Sequence, residues 1–466
     1  MDKKVRRALE KIVGRRHVLT EPADLLLYGY DASTIVGTPD AVVLPASTEE
    51  VARVVTVCAD RGLPFVARGA GTNLSGGSAP IRGGVVIVLT RLNRLLNLDV
   101  ENLRATVQPG LVNLELQGLL KSHGLQFCPD PASQKVSTLG GNIAENAGGP
   151  HCLKYGVTIN HVVGLTVVLP SGEVREFGGA VPDAPGYDLV GLMIGSEGTL
   201  GIVTEIVLKL EPLPEDAQTI LAVFETLEAA GAAVSRIIAE GMTPAALEIM
   251  DRQTIEAVEA SFPSGLPLDV EAVLLIELDG LKESLERQAT RCADICRELQ
   301  ARSVEVGRSP AERENLWRGR RSAFGATARL SPSMLVNDAT VPRTKLPEVL
   351  RKIQEIEQRH GLRIAKIFHA GDGNLHSNIL YERGNEEEFR RAEAATEEIF
   401  RVCAEAGGTI TGEHGVGAEK TRFMSLLYSP EDLDAQRRLK LVFDPRDIAN
   451  PDKVLPPAEA IGEGTR

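Results

Sequence analysis

Three of the chain's eight histidines stand in two short glycine-rich motifs. One reads His369-Ala-Gly-Asp-Gly-Asn-Leu-His376-Ser-Asn378, the other Gly412-Glu413-His414-Gly-Val-Gly417. Two histidines seven residues apart could share a helix face, but Gly371 and Gly373 make a helix improbable there. A turn between two short strands fits better and aims both rings at one point. With the carboxylate of Glu413, the two imidazoles make a two-histidine, one-carboxylate donor set. Such a set suits zinc, iron(II) or manganese and leaves coordination positions open for a substrate. A solitary histidine here would read as a core residue; three beside a glutamate in glycine-rich backbone read as a site.

A second kind of chemistry is carried by backbone. Glycine accounts for 45 of the 466 residues, above the usual share of roughly 7%, and the glycines cluster. The first cluster is Arg68-Gly69-Ala70-Gly71-Thr72-Asn73-Leu-Ser75-Gly76-Gly. Glycines after a strand turn N–H groups toward an anion, with Thr72, Asn73 and Ser75 as further donors. It is not the GxGxxG of a Rossmann unit, because no helix clearly follows. The second begins with Pro129-Asp130-Pro-Ala-Ser133 and continues as Thr138-Leu-Gly140-Gly141-Asn142-Ile-Ala144-Glu-Asn146-Ala147-Gly-Gly. Stiff prolines precede a run of nearly all small residues, as where backbone must touch a flat or extended ligand. The third is Gly195-Ser-Glu197-Gly198-Thr-Leu-Gly201-Ile202-Val. Any one could be a bare turn, but three in one region point to a long, phosphate-containing cofactor gripped at several places.

These motifs need elements to hold them. From 41 to 210, short β-branched runs alternate with helices, including an amphipathic helix over 49–62 and two strands about the turn at Pro170–Gly172. Residues 1–30 read as helical and basic, with Val5, Leu9, Ile12 and Val13 on a docking face. A proline-rich exit near 211–216 marks the first boundary. Beyond it, strands such as 276–280 alternate with helices of 15 residues or more, which predicts an antiparallel sheet covered on one face. The expected domains are 1–215, 216–425 and a helical segment at 426–466.

The length implies two or three domains. Acidic residues outnumber basic ones 64 to 51, a formal net charge of −13, which argues against a nucleic-acid binder and against electrostatic anchoring on anionic lipid. None of the six cysteines forms a CxxC pair, so neither a zinc ribbon nor an iron–sulfur ligand run is expected. With no apolar signal core at the N-terminus and no run of roughly 18 apolar residues, the expectation is a cytoplasmic protein without a transmembrane segment, or one peripheral to a membrane through a partner.

RGAGTNLSGG, PDPAS, TLGGNIAENAGG and GSEGTLGIV together resemble the FAD-binding domain of the vanillyl-alcohol oxidase and p-cresol methylhydroxylase superfamily. The resemblance extends over nearly the whole chain and is closest to the glycolate oxidase and D-lactate dehydrogenase branch. It implies an α+β fold: a two-subdomain FAD-binding domain of the p-cresol methylhydroxylase type, an α+β cap domain with an antiparallel sheet carrying the metal site, and a C-terminal helical segment. By resemblance, the first cluster holds the pyrophosphate, and the second and third line the isoalloxazine and adenine portions. The first loop has neither the histidine nor the cysteine through which some members attach flavin, so FAD is expected to be non-covalent.

The resemblance also makes His369, His376 and Glu413 ligands of a divalent metal, and His414 the acid/base. Arg320 matches the family's carboxylate-binding arginine, although Arg318 and Arg321 are equally plausible from the residues alone. Asn378, grouped with the cofactor-binding residues, resembles the lactate and hydroxyglutarate members. Phe324 and Val336 are apolar where dicarboxylate users carry polar residues, which favours a small monocarboxylate. The implied reaction takes D-lactate or glycolate to the 2-oxo acid. A metal lowers the hydroxyl pKa, a histidine of ordinary pKa about 6.5 takes the proton, and FAD takes the hydride. Without an iron–sulfur or haem-attachment motif, the electrons are expected to leave for a separate acceptor, such as an iron–sulfur subunit or an electron-transferring flavoprotein. The competing readings are a D-2-hydroxyglutarate-type dehydrogenase and a non-redox FAD-dependent transferase of the same fold.

Overall fold

The computed structural model describes residues 1–181, 185–307 and 309–457. Two compact units interleave along the chain. The first comprises Met1–Gly148, Gly156–Leu213 and the chain from Glu413 onward; the second comprises Gly149–Tyr155 and Pro214–Gly412.

The first unit holds two main sheets. Strands Val18–Leu19, Ala41–Val43, Val85–Val88 and Phe65–Arg68 lie side by side in that order. The last three are mutually parallel and the first is antiparallel. A parallel pair needs a long crossover, which helix Thr48–Arg61 provides. Ser47 caps its start by accepting from Glu50 N, and Gly62 ends it at φ +60°. Its stripe Val51, Val54, Val55 and Cys58 packs on Phe65, Val85 and Ile87. Helix Lys3–Val13 docks Val5, Leu9 and Val13 on the same core. The expected helical stretch breaks at Gly14, φ +85°, and resumes only as Pro22–Leu27.

The second sheet is antiparallel, ordered Leu95–Asp99, Arg104–Val107, Ile202–Lys209, Val162–Val168, Val174–Gly178. Buried and half-buried residues alternate along Ile202–Lys209, the signature of one face turned to a core. Helix Pro430–Phe443 sends Phe443 into that core. Farther on, Phe65 N donates to Ile448 O and Asn450 N to Phe65 O, both at 2.8 Å. The chain after 413 therefore completes the first unit's cores, whereas the sequence reading placed 413–425 with the second domain and 426–466 as a segment of its own.

The second unit is built on a seven-stranded antiparallel sheet. The order is Ser303–Gly307, Asp216–Phe224, Ala272–Gly280, Ala246–Asp251, Arg363–His369, Asn374–Tyr381, Ser333–Thr340. Helices cover both faces, which corrects the expectation of one. Helices Arg252–Ser261 and Pro310–Thr327 pack on Met250, Val273, Leu275 and Ile367. Helix Glu386–Glu405 lies against the other face, where Asn337 Nδ2 donates to Thr396 Oγ1 at 3.3 Å. The reason is legible in Ala272–Ile276, an apolar run buried on both sides rather than an alternating one. No helix among the described residues is long and apolar enough to cross a membrane.

Candidate active site and cofactor cradle

The three glycine clusters converge within the first unit. Strand Phe65–Arg68 opens into the first loop, and Arg68 is buried, its Nη1 donating to Tyr30 O at 2.7 Å. A Cβ on Gly69 would lie 2.2 Å from Thr138 Oγ1, so the first and second clusters touch at a point where only glycine fits. Gly71 and Gly76 turn at φ +75° and +78°. Asn73 Oδ1 ties the loop by accepting from Ser75 N at 2.9 Å and Gly77 N at 2.8 Å.

The second cluster forms a short helix, Leu139–Glu145, begun by Thr138 and ended by Asn146 in a left-handed conformation. The preceding Pro129 loop is held by Asn113 Nδ2 on Pro129 O at 3.0 Å, and Ser133 O accepts from Val136 N and Ser137 N. Glu197 N donates to Ala144 O at 2.8 Å, and Thr158 N to Ala147 O at 3.2 Å, which knits the third cluster and the 158–161 turn to the second. Glu197 itself accepts from Val416 N at 2.7 Å and Gly417 N at 2.8 Å. Burial pushes its carboxyl up to about 7, with those amides, Lys420 and Lys453 pulling the other way. Both oxygens are thus committed to the protein, and Glu197 is a tie between segments. Ile202 is 1% exposed and belongs to the valine-rich core.

Several polar atoms in this cradle stand out. Asn142 Nδ2, Ser137 Oγ and Asn73 Nδ2 are buried and find no hydrogen-bond partner among the described residues. Buried donors are rarely left so. They suit an extended, polar cofactor laid along backbone cleared of side chains.

The second unit supplies the histidine pair. Strands Arg363–His369 and Asn374–Tyr381 form a hairpin with its turn at 370–373, as the motif predicted. Opposite partners His369↔Asn374 and Ile367↔His376 make the two histidines diagonal neighbours on one sheet face. Their ring centroids are 5.0 Å apart and the rings perpendicular. On the next strand Glu248 sits directly across from His369, and its oxygens lie 2.8 and 3.0 Å from His369 Nδ1. Arg320, on helix Pro310–Thr327, donates to Glu248 Oε2 through Nε at 2.6 Å, with Nη2 also at 2.6 Å. Burial would raise Glu248, but the Arg320 guanidinium and His369 outweigh it and hold the carboxyl below its ordinary value.

The arginines separate by helix face. Arg320 is buried beside the histidines, whereas Arg318 and Arg321 are exposed, Arg321 pairing with Glu314 at 2.6 Å. Phe324 is 39% exposed on the same helix. Val336 is half-buried across the ladder from Asn378. Asn378 is fully buried on the His376 face, and neither of its side-chain heteroatoms finds a partner among the described residues.

Asp338 faces His376 across the ladder. One oxygen lies 3.6 Å from His376 Nδ1, and the other accepts from Thr411 Oγ1 at 2.8 Å and Gly412 N at 2.9 Å. Glu413 and His414 are the next two residues in the chain, where the first unit resumes, and His414 Nε2 lies 3.8 Å from Glu413 Oε1.

The model of the C-terminal domain of FAD-linked oxidases matches residues 213–454, and an FAD-binding-domain model matches 39–178. The chain belongs to the FAD-linked oxidases. It is 44% identical over 455 residues to the glycolate oxidase subunit GlcD of Bacillus subtilis, with 97% of each chain covered. It is 36% identical over 425 residues to a D-lactate dehydrogenase of Anaerostipes hadrus, with 89% of each covered. Among solved structures, p-cresol methylhydroxylase with substrate bound aligns at a TM-score of 0.81 and 19% identity, covering 97% of this chain and 96% of that one. That likeness concerns the fold.

In this FAD-linked oxidase, sequence reasoning missed Glu248 and Asp338, the two acids behind the histidines. Each is the one mid-strand charge of a mostly apolar strand, Glu248 in ALEIMD and Asp338 in MLVNDAT. Buried acids are almost always paired, so that oddity was the available signal.

Proposed function

We propose that the protein oxidises a small 2-hydroxy acid, D-lactate or glycolate, to its 2-oxo acid. A divalent cation, zinc, iron(II) or manganese, would be held by His369, His376 and Glu413. The observation that carries this reading is the perpendicular histidine pair with His369 Nδ1 committed to Glu248 beside buried Arg320. Because Nδ1 faces a carboxylate, Nε2 is the nitrogen His369 offers as a ligand.

When bound, FAD supplies a hydride acceptor and the cation supplies Lewis acidity at the substrate hydroxyl. The chain's own residues do the rest. Arg320 receives the substrate carboxylate and fixes the orientation of C2. His414 accepts the hydroxyl proton on a ring nitrogen as the C2 hydrogen departs with its electron pair, leaving the 2-oxo acid. Asn378 lines the same face as His376 and donates or accepts at the bound ligands. Apolar Phe324 and half-buried Val336 favour a monocarboxylate over a dicarboxylate such as 2-hydroxyglutarate. A separate acceptor, an iron–sulfur subunit or an electron-transferring flavoprotein, would take up the electrons, in the cytoplasm or at a membrane through that partner.

The test is anaerobic bleaching of the flavin absorbance across D- and L-2-hydroxy acids, with metal analysis of the same sample. D-lactate or glycolate should bleach it at about one divalent cation per chain, as three protein ligands at one site require. Retention of full colour with every acid would overturn the reading.

A further inference from the structure

Strand Ala246–Asp251 is apolar except for its acids, and Glu248 at its centre is 1% exposed. Three donors close on it: His369 Nδ1, Arg320 Nε and Arg320 Nη2. A carboxylate so enclosed can only accept, which pins the His369 proton on Nδ1 and leaves the lone pair on Nε2. The same carboxylate takes two of the donors of the Arg320 fork, and so aims Nη1 away from itself.

We propose that Glu248 is a positioning residue shared by two subsites: it orients the imidazole offered to the cation, and it holds the arginine offered to the substrate carboxylate. This rests on the function proposed above. One rigid group would then set the distance between the cation and the carboxylate clamp. The chemistry selected is a hydroxyl and a carboxylate on adjacent carbons, since these two groups must be met at once. A glutamine in its place presents one acceptor oxygen instead of two, and turns an N–H₂ group toward groups that are themselves donors.

The experiment uses the full-length, FAD-loaded protein. Zinc and manganese affinities are measured by competition with a chromogenic chelator, and KM and kcat with D-lactate and glycolate. Glu248→Gln should weaken cation affinity by about 10–100-fold, the usual consequence of losing an outer carboxylate behind a ligating histidine. It should also raise KM by about tenfold, the ratio for disturbing one charge-assisted hydrogen bond, while the flavin spectrum is retained. Arg320→Lys should raise KM and leave cation affinity unchanged. Wild-type cation affinity in Glu248→Gln overturns the inference and spares the proposed function; a wild-type protein that binds no divalent cation overturns both. Ring ¹⁵N spectra of the metal-free wild-type protein provide a measurement that needs no variant to fold. His369 should carry its proton on Nδ1, and a proton on Nε2 refutes the arrangement.

Discussion

The hairpin bearing His369 and His376 turns through Gly373 at φ +76°, and a Cβ there would lie 2.0 Å from the carbonyl oxygen of Val341. The clash cannot slide away, because Val341 N donates back to Gly373 O at 2.9 Å. Gly373→Ala therefore has two costs. The left-handed conformation costs an L-residue about 1–2 kcal/mol, and forcing a methyl into packed backbone costs about 1–3 kcal/mol. The sum, about 2–5 kcal/mol, should lower the unfolding midpoint by roughly 4–20 °C for a unit of this size. Reaching even a 3.0 Å separation moves turn and carbonyl apart by about 1 Å. A displacement of that order at a reacting centre costs about 100-fold in rate. The flavin cradle lies in the other unit, so the yellow colour should persist while stopped-flow bleaching by D-lactate slows about 100-fold and bound metal falls. A Gly373→Ala protein that bleaches and melts like the wild type would show that the hairpin does not set the histidine geometry.

Further outcomes are expected. His414→Ala should keep the flavin spectrum and lose bleaching by more than about 100-fold, the low end of a general base's contribution; an unchanged rate removes its role. His376→Ala, or dialysis of the wild type against a strong chelator, should strip the cation while FAD stays bound, checked by elemental analysis beside the absorbance spectrum. Stoichiometric metal in the variant contradicts the ligand assignment. Glu197 titrates near about 7, above its ordinary 4.5, because burial disfavours its charge. Its contribution to stability is therefore full below 4.5 and lost as pH rises through 7. The thermal midpoint from about pH 5 to about pH 8 should fall more steeply in the wild type than in Glu197→Gln, and parallel profiles would refute the assignment.

Much of this was legible in the residues because it is local. The helix over 48–61 has its cap, stripe and closing Gly62 within sixteen residues, and the histidine hairpin has its turn inside the motif that names it. What escaped was non-local. Glu248 lies 121 residues from His369 in sequence, and only the ladder register brings them face to face. The return of the chain after 413 was hidden for the same reason, since the hydrogen bonds of Phe65 to Ile448 and Asn450 leave no mark on either segment's periodicity. The second covering of the seven-stranded sheet could have been read from the unbroken apolar run Val273–Ile276, but the charged helices suggested an open face.

The interleaving of segments has a consequence for synthesis. Residues 1–213 emerge about two hundred residues ahead of the stretch beginning at Glu413, a delay of roughly 10–40 s at about 5–20 residues per second. Throughout that interval the edge at Phe65 and the carboxylate of Glu197 lack the amides that later satisfy them. The nascent half-chain is thus an unfinished vessel until the stretch beginning at Glu413 arrives to close it.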